Sequence, residues 1–356
     1  MLCLITVSAT SKAQNISFLS DYLGNVSIFD NAKIRQIEHL PLKTYKISNK
    51  SMAYEDNSRT FKIYYDNYVH TITNSIDNYD VTNNYIAFSY NNILRLFDNG
   101  KLVSLSNSIT NYYLGEDLII WFDYSQQKLK AYQNRNFFDL DDAIASENNK
   151  NNVIIGKNIA TFIDSKNYLN IFYNSEVISI DYVDRIKSVS VGKNIVAFVD
   201  KSLNIFQVYY KGNFVELENF EPKSFKAGDD FLIYVDASSS LKYYSDNSTV
   251  IVSFDEPDFY EVADKMVVFG VQNFFRVYLN GQVYTLENYI PKKYLFKNNV
   301  ICYIDELGNL KYFDGNKTET ISYETITEFE LHGNIVKYKY GVSSENIYFN
   351  GKTYTN

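Results

Sequence analysis

Proline, cysteine, tryptophan and histidine are scarce in this chain, and each scarcity removes a class of explanation. There are four prolines among 356 residues. No Pro/Gly/Ser-rich stretch interrupts the chain, so no linker divides it into separate domains. The two cysteines are Cys3 and Cys302. If the N-terminal segment is removed, one remains and no intramolecular disulfide can form; Cys302, within "VICYID", reads as a small buried core residue. The three histidines, His39, His70 and His332, stand in separate stretches with no partner at ligand spacing, which argues against a zinc site. A Ser-His-Asp hydrolase would have only these three candidates for its base, and no G-x-S-x-G elbow is present. Glycine-rich phosphate loops are missing. No run approaches the roughly 20 apolar residues of a membrane helix. Basic charge is not in excess: the formal net charge is −8, which argues against a nucleic-acid backbone as partner.

What is abundant is aromatic. Thirty-three Tyr and 25 Phe lift the aromatic content to 17%, within a hydrophobic content of 46%. Tyr, Phe, Val, Ile and Thr favour pleated, half-buried surfaces, so the balance indicates an all-β protein. The N-terminus, "MLCLITVSATSKAQ", has an apolar stretch from Leu2 to Val7. A small-residue run follows, with Ser11 and Ala13 at the −3 and −1 positions of a signal-peptidase site. Residues 1–14 are therefore expected to be an export signal, and the mature protein to be periplasmic or at the cell surface. The competing reading makes "LITVSAT" a first strand.

The phrase "LRLFDNGKLVSL" at 94–105 reads as strand, tight turn, strand. It recurs as "VYLNGQVYTL" at 277, "KYFDGNKTETI" at 311 and "NIYFNGKTYT" at 346. Aligned on the aromatic that closes the strand before the turn, ten units appear. The anchors are Phe29, Tyr64, Phe97, Tyr132, Phe172, Phe206, Tyr244, Tyr278, Phe313 and Phe349, at spacings of 33 to 40 residues. Ahead of each stands an apolar strand, such as "IIWFDY" at 119 or "IVAFVD" at 195. After the turn comes a third strand, and a fourth, more variable one, such as "IKSVSVGKN" at 186 or "SFKAGDD" at 224, is expected to close the unit. Four short strands with hairpin turns fit such a period, and a unit of that size cannot bury both faces of its own sheet. The expectation is a β-propeller of about ten ~35-residue four-stranded repeats spanning residues 15–356, in one ring or in two five-bladed rings. The stretch 133–152 reads as an enlarged loop with a helical turn.

"GKNIVAFVDKSLNIF…KGNFVELENFEP" resembles, in order and spacing, the short WD40-like repeats of TolB-type propellers. The S-P-D-G turn of those repeats is missing, as are the Trp-Asp dipeptide and Gly-His pair of WD40 blades. With Trp121 the only tryptophan, the tryptophan-docking repeats of quinoprotein dehydrogenases are excluded. The resemblance implies the fold and leaves function open.

No catalytic residue, metal site or cofactor is assigned. Asp123, Asp164, Asp200, Asp236 and Asp305 each end an apolar strand. A ring of them at one face would suit Ca²⁺; recurrence at equivalent turns favours local backbone capping instead. The bunched carboxylates Asp139–Glu147 and Asp255–Glu261 read as solvated loops. Tyr64, Tyr65, Tyr112, Tyr113, Tyr209 and Tyr210 lie at strand ends or loops and are the candidate binding residues. The preferred functional reading is a non-catalytic propeller of the bacterial cell envelope that docks a protein. The Asn-, Ile- and Tyr-rich style and the Ala-Gln junction resemble envelope proteins of Bacteroidota. That resemblance implies an outer-membrane channel or secretion complex as partner, as for the subunit that plugs the type 9 secretion translocon. The alternatives are a carbohydrate-active hydrolase or lyase, which needs two carboxylates at one mouth, and a lectin-like module with a sugar site per blade.

Overall fold

The computed structural model describes residues 15–142, 153–341 and 344–355. The segment read as an export signal, 1–14, and residues 143–147 of the first acidic cluster lie outside them. Among the described residues there are ten antiparallel sheets, each a meander of strands consecutive in sequence. They span 16–38, 44–73, 78–106, 109–141, 153–182, 186–218, 224–253, 259–287, 294–322 and 326–355, and are numbered as blades 1 to 10. Blades 2 to 10 have four described strands and blade 1 has three. Among the described residues the only helical element is the 3₁₀ turn Val183–Arg185.

Burial explains the strand sequences. The second strand of each four-stranded blade is covered on both faces, because neighbouring blades pack against each side. Leu118–Asp123 and Ile195–Asp200 are buried along their whole length. A strand covered on both faces needs an apolar run in place of alternation, hence "LIIWF" and "IVAFV". The third strands alternate before a buried end that carries an aromatic, and the outer strands are largely exposed. Each interface is an apolar layer shared by two blades. Phe231, Val267 and Phe269 join blades 7 and 8, and Met266, Phe275, Ile301 and Tyr303 join blades 8 and 9. Full burial of one such side chain is worth about 1.5–3 kcal/mol.

The repeat boundaries differ from the sequence reading in three places. "IKSVSV" at 186–191 pairs with Ile195–Asp200, and Ser224–Ala227 pairs with Leu232–Val235. The variable strand therefore opens the following blade as its inner strand. It is variable because it lines the ring axis and is only partly buried. The anchors fall on the third strands (in blade 1, on Val26–Asp30), one per blade, but in blade 6 the equivalent residue is Tyr209, not Phe206, and in blade 10 it is Tyr348, not Phe349, which stands in the closing pair of its hairpin. Tyr209 stands opposite Phe214 as Tyr132 stands opposite Phe137. Residues 136–141, within the expected loop, form the outer strand of blade 4, paired with Lys128–Gln133.

The ring closes on itself. Leu19 and Phe29 of blade 1 pack with Ile335, Ile347 and Phe349 of blade 10. The turns from third to outer strand are two-residue hairpins with both residues left-handed in nine blades, among them Asn99–Gly100, Lys211–Gly212, Asn280–Gly281 and Asn350–Gly351. This primed geometry matches the strand twist and favours Asn followed by Gly. At Gly281, φ is +78° and the space around a Cβ is open. Gly281→Val should therefore lower stability by about 1–3 kcal/mol through backbone strain alone, read as a shift in the urea midpoint with an unchanged slope.

Candidate docking face

The meander places two kinds of link at each end of a blade. The turns from inner to second strand and from third to outer strand lie at one end, called the hub face. The turns from second to third strand and the connections between blades lie at the other, called the connection face.

At the hub face the inner turns meet one another. The recurring triplets Gly115-Glu116-Asp117, Gly156-Lys157-Asn158, Gly192-Lys193-Asn194 and Gly228-Asp229-Asp230 belong to blades 4 to 7. The Lys157 N–H donates to the Gly192 carbonyl at 3.1 Å, and the Lys193 N–H to the Gly228 carbonyl at 3.0 Å. A Cβ on Gly156 would stand 1.9 Å from the Gly192 oxygen, so glycine is required there by close approach. The side chains form a second ladder. Asn158 donates to Asn194 at 2.5 Å, and Asn194 to Asp230 at 2.7 Å. Two contacts reach further around the ring. Lys157 of blade 5 bridges Asp229 of blade 7 at 2.7 Å and Asp264 of blade 8. Asn298 of blade 9 donates to Asn49 of blade 2 at 3.0 Å.

Burial pushes the Glu116 carboxyl above its ordinary range, although it accepts two hydrogen bonds from Asn83. Burial likewise pushes Asp229 up, beyond what Lys157 offsets. For Asp264 the upward push of burial is outweighed by Lys157 and the Asn298 N–H, and its carboxyl is held low. Carboxylates from several blades therefore come together at one mouth, as the glycosidase alternative requires. Their oxygens are engaged with Lys157, Asn83 and Asn298, so they act as structural ties. These residues escaped the sequence reading as a site, although the repeated "LGED", "IGKN", "VGKN" and "AGDD" carry the signal.

The seam between blades 10 and 1 holds His332. Ser17 Oγ lies 2.8 Å from its Nδ1, and Glu330 Oε2 lies 2.9 Å from its Nε2. This is a serine–histidine–carboxylate line, but Ser17 is fully enclosed and His332 is buried, beneath the ring of Phe18. Lys337 caps that ring at 3.7 Å and pairs with Glu345 at 3.5 Å. The line closes the ring and leaves no path for a substrate to the serine. His39 is exposed beside Gln36, and His70 packs on Phe97. Cys302 is buried, and burial pushes its thiol up.

The strand-ending aspartates cap their own turns. Asp164 Oδ1 accepts the N–H groups of Lys166 and Tyr168, both at 2.9 Å. Asp305 Oδ1 accepts those of Leu307 and Asn309, at 2.9 and 2.8 Å. Asp123, Asp200 and Asp236 do the same within their turns, and so do Asp21 and Asp56. Their second oxygens are also used, as in Asp236 to Lys242 at 2.9 Å and Asp123 to Ser106 at 2.8 Å. Among the described residues no group of three or more His, Cys, Asp or Glu is placed to hold a metal ion.

The six candidate tyrosines lie in blades 2, 4 and 6 and share no surface. Tyr64, Tyr209 and Tyr210 are buried at hub-face ends of third strands. The Tyr64 hydroxyl donates to Asp30 of blade 1 at 2.8 Å, and that of Tyr210 to Asp246 of blade 7 at 3.0 Å. Tyr209 packs on Tyr173 and Phe214, and Tyr65 packs edge-on against Phe97 of blade 3. Tyr112 and Tyr113 sit on the inner strand of blade 4; Tyr112 donates to Asp80 at 2.9 Å, and Tyr113 accepts from Asn111 at 3.0 Å. Tyr64, Tyr112 and Tyr210 are inter-blade anchors, their hydroxyls spanning the interface.

The exposed large apolar side chains outside strands tell the two faces apart. Tyr22, Leu23, Tyr124, Leu203 and Leu307 lie in turns from second to third strand, and Leu40, Phe220, Phe254 and Tyr323 in connections between blades. All are on the connection face. Exposure reaches 83% for Tyr22, 80% for Phe254, 86% for Leu307 and 81% for Tyr323. Exposed apolar residues on the outer strands instead lie against their own sheets, as Phe137 does on Trp121 and Tyr132. The turn-tip residues follow a self-capping Asp, as in "DYLG" and "DELG", which is the signal by which the sequence could have shown them.

A closed ring of ten such blades is a β-propeller, and its exposed apolar groups mark one face as the docking candidate. The model of the 10-bladed beta propeller domain matches residues 10–354, and the chain belongs to that family. Among solved structures it is similar to a eukaryotic initiation factor, at 9% identity and a TM-score of 0.48 over 97% of this chain and 96% of that one. It is also similar to Prp20p from Saccharomyces cerevisiae, at 9% identity and a TM-score of 0.33 over 66% and 81% of the two chains. Hsv2p from Kluyveromyces lactis aligns at 12% identity and a TM-score of 0.32 over 67% and 92%. No curated protein matches the sequence. Among the described residues no helix is long and apolar enough to cross a membrane.

Two outcomes are expected of the ties. Lys157→Met should destabilise by about 2–4 kcal/mol, because Asp229 and Asp264 lose the cation between them; chemical denaturation reads this. Burial raises the Glu330 carboxyl, but His332, Lys337 and Tyr45 outweigh it and hold it at about 2, against 4.5 when unperturbed. A depressed carboxyl contributes stability above its unfolded value and loses it as pH falls through its folded value. The seam should therefore weaken between about pH 4.5 and 2, and Glu330→Gln should flatten that part of the melting-temperature profile. Glu116 and Asp229, raised by burial, act in the opposite direction and limit the total loss.

Proposed function

We propose that this propeller works by occupancy, as a non-catalytic module that docks a protein partner in the bacterial cell envelope, on or capping a larger outer-membrane or secretion assembly. The observation that carries the docking role is the set of apolar side chains held out to solvent at the turns and connections of one face. Exposed apolar patches rimmed by polar groups mark interaction sites. The strand-ending aspartates tie their turns before any partner arrives, so little ordering entropy is lost on binding. The envelope setting rests on the residue style and on the apolar stretch Leu2–Val7 with small residues at Ser11 and Ala13.

Fractionation of the native host should find the chain in the envelope with its mature terminus at Gln14. The full chain should co-purify with a membrane-associated assembly in fixed stoichiometry. Asp123→Asn, Asp200→Asn and Asp236→Asn should leave that association intact. A chain that purifies alone and cleaves a glycan or peptide, with the activity lost in one of these variants, overturns the reading.

A further inference from the structure

The exposed apolar residues are not evenly dressed with charge. From the connection between blades 7 and 8, around to blade 1, Phe254, Leu307, Tyr323 and Tyr22 each stand beside a carboxylate in sequence, whereas outside this arc the adjoining carboxylates are Asp123, which is buried, and Glu221, which is paired with Lys187 at 2.8 Å. Phe254 is followed by Asp255 and Glu256, Leu307 is preceded by Glu306, Tyr323 is followed by Glu324, and Tyr22 is preceded by Asp21. Asp255, Glu256, Glu306 and Glu324 are exposed. Of these, Glu256 has a cation of the chain at its side, Lys223 at 2.7 Å. Lys292 and Lys293 are the exposed cations of the connection between blades 8 and 9, and the Lys293 ammonium sits 4.5 Å from the centre of the Phe329 ring. At the hub face the contrast is plain: Lys157 and Lys211 are engaged with carboxylates of other blades, and no residue of the inner turns or third-to-outer turns is a large exposed hydrophobe among the described residues.

We infer that the arc of the connection face from Phe254 to Tyr22 is the docking surface, and that its occupant is a protein segment carrying apolar side chains flanked by Lys or Arg. This rests on the docking reading above and names its surface and partner chemistry. Aromatic and aliphatic anchors supply the desolvated contacts. The adjoining carboxylates set orientation and speed the encounter with a basic partner. The same charge disfavours two other occupants. A second copy would bring acidic groups against acidic groups, and an anionic lipid surface attracts basic segments. The backbone beneath the arc is stiff where Asp21 and Asp305 cap their turns, so the anchors are presented in fixed places.

The test is site-specific photocrosslinking of the full chain in its native host, with p-benzoylphenylalanine at position 22, 254, 307 or 323, and at 33 or 101 on the hub side as controls. The expected result is an adduct to one and the same protein from all four arc positions and none from the controls. The crosslinked peptide should be net positive. Glu306→Lys combined with Glu324→Lys should lower the yield roughly tenfold, the size expected of losing close charge partners, with the melting temperature unchanged because both side chains are exposed. Adducts from 33 and 101 alone would leave protein docking standing and overturn the arc as its site. Adducts to lipid, to a second copy or to an acidic peptide would overturn the partner chemistry. Adducts from no position would overturn both this inference and the docking reading.

Discussion

How closely successive inner turns can approach at the ring axis governs this molecule. Each blade is a thin meander with no core of its own, so it is stable only between two neighbours. A ring of ten must also be tied at its centre. The Gly156 and Gly192 turns stack carbonyl against missing side chain, and Lys157 reaches past its immediate neighbour to Asp229 and Asp264. These ties are polar because the inner strands are only partly buried and have little apolar surface to share. The apolar contribution comes from further out, where the second and third strands of adjacent blades interlock.

The division of labour between the two faces follows from this. The hub-face turns are committed to one another: their Asn, Asp and Lys side chains are spent on ladders and bridges between blades. The connection-face turns are tied chiefly within themselves, through aspartates that bond their own backbone, with a few links across blades such as Ser165 to Asp141 and Lys223 to Glu256. A self-capped turn holds its shape through its own backbone, so the residue at its tip is free to face solvent. Tyr22 and Leu307 are held out in this way. Closure therefore leaves one face saturated and the other available. The seam between blades 10 and 1 repeats the lesson locally. Ser17, His332 and Glu330 come together from opposite ends of the chain, and their hydrogen bonds hold the ring closed.

Much of the fold was legible in the residues. The ten anchors, eight of them at equivalent positions of a third strand, were visible because every blade needs an aromatic at the same layer of the interface. The Asn-Gly turns were visible because few other pairs adopt two left-handed residues in succession. The phase of the repeat was harder to read. "IKSVSV" has the polar, variable character of a strand that faces the axis, and a meander read in one direction cannot tell whether such a strand ends one blade or begins the next. In blade 6 the choice between Phe206 and Tyr209, and in blade 10 that between Phe349 and Tyr348, turned on cross-strand register, which spacing does not carry.

The candidate site was legible only in part. Tyr64 and Tyr210 stand beside turn residues, and adjacency to a turn in sequence suggests exposure. In the folded ring those turns lie at the blade interfaces, and the hydroxyls reach Asp30 and Asp246 of the neighbouring blades. Residue type and period determined by themselves that the chain builds ten similar β-sheets, because local propensity and alternation act within a few residues. Only the tertiary structure decided which turns face each other and which face water, because that depends on contacts between residues far apart in the chain. Lys157 meets Asp264, Asn298 meets Asn49 and His332 meets Ser17 once the ring has closed, while Phe254, Leu307 and Tyr323 are left on the outside.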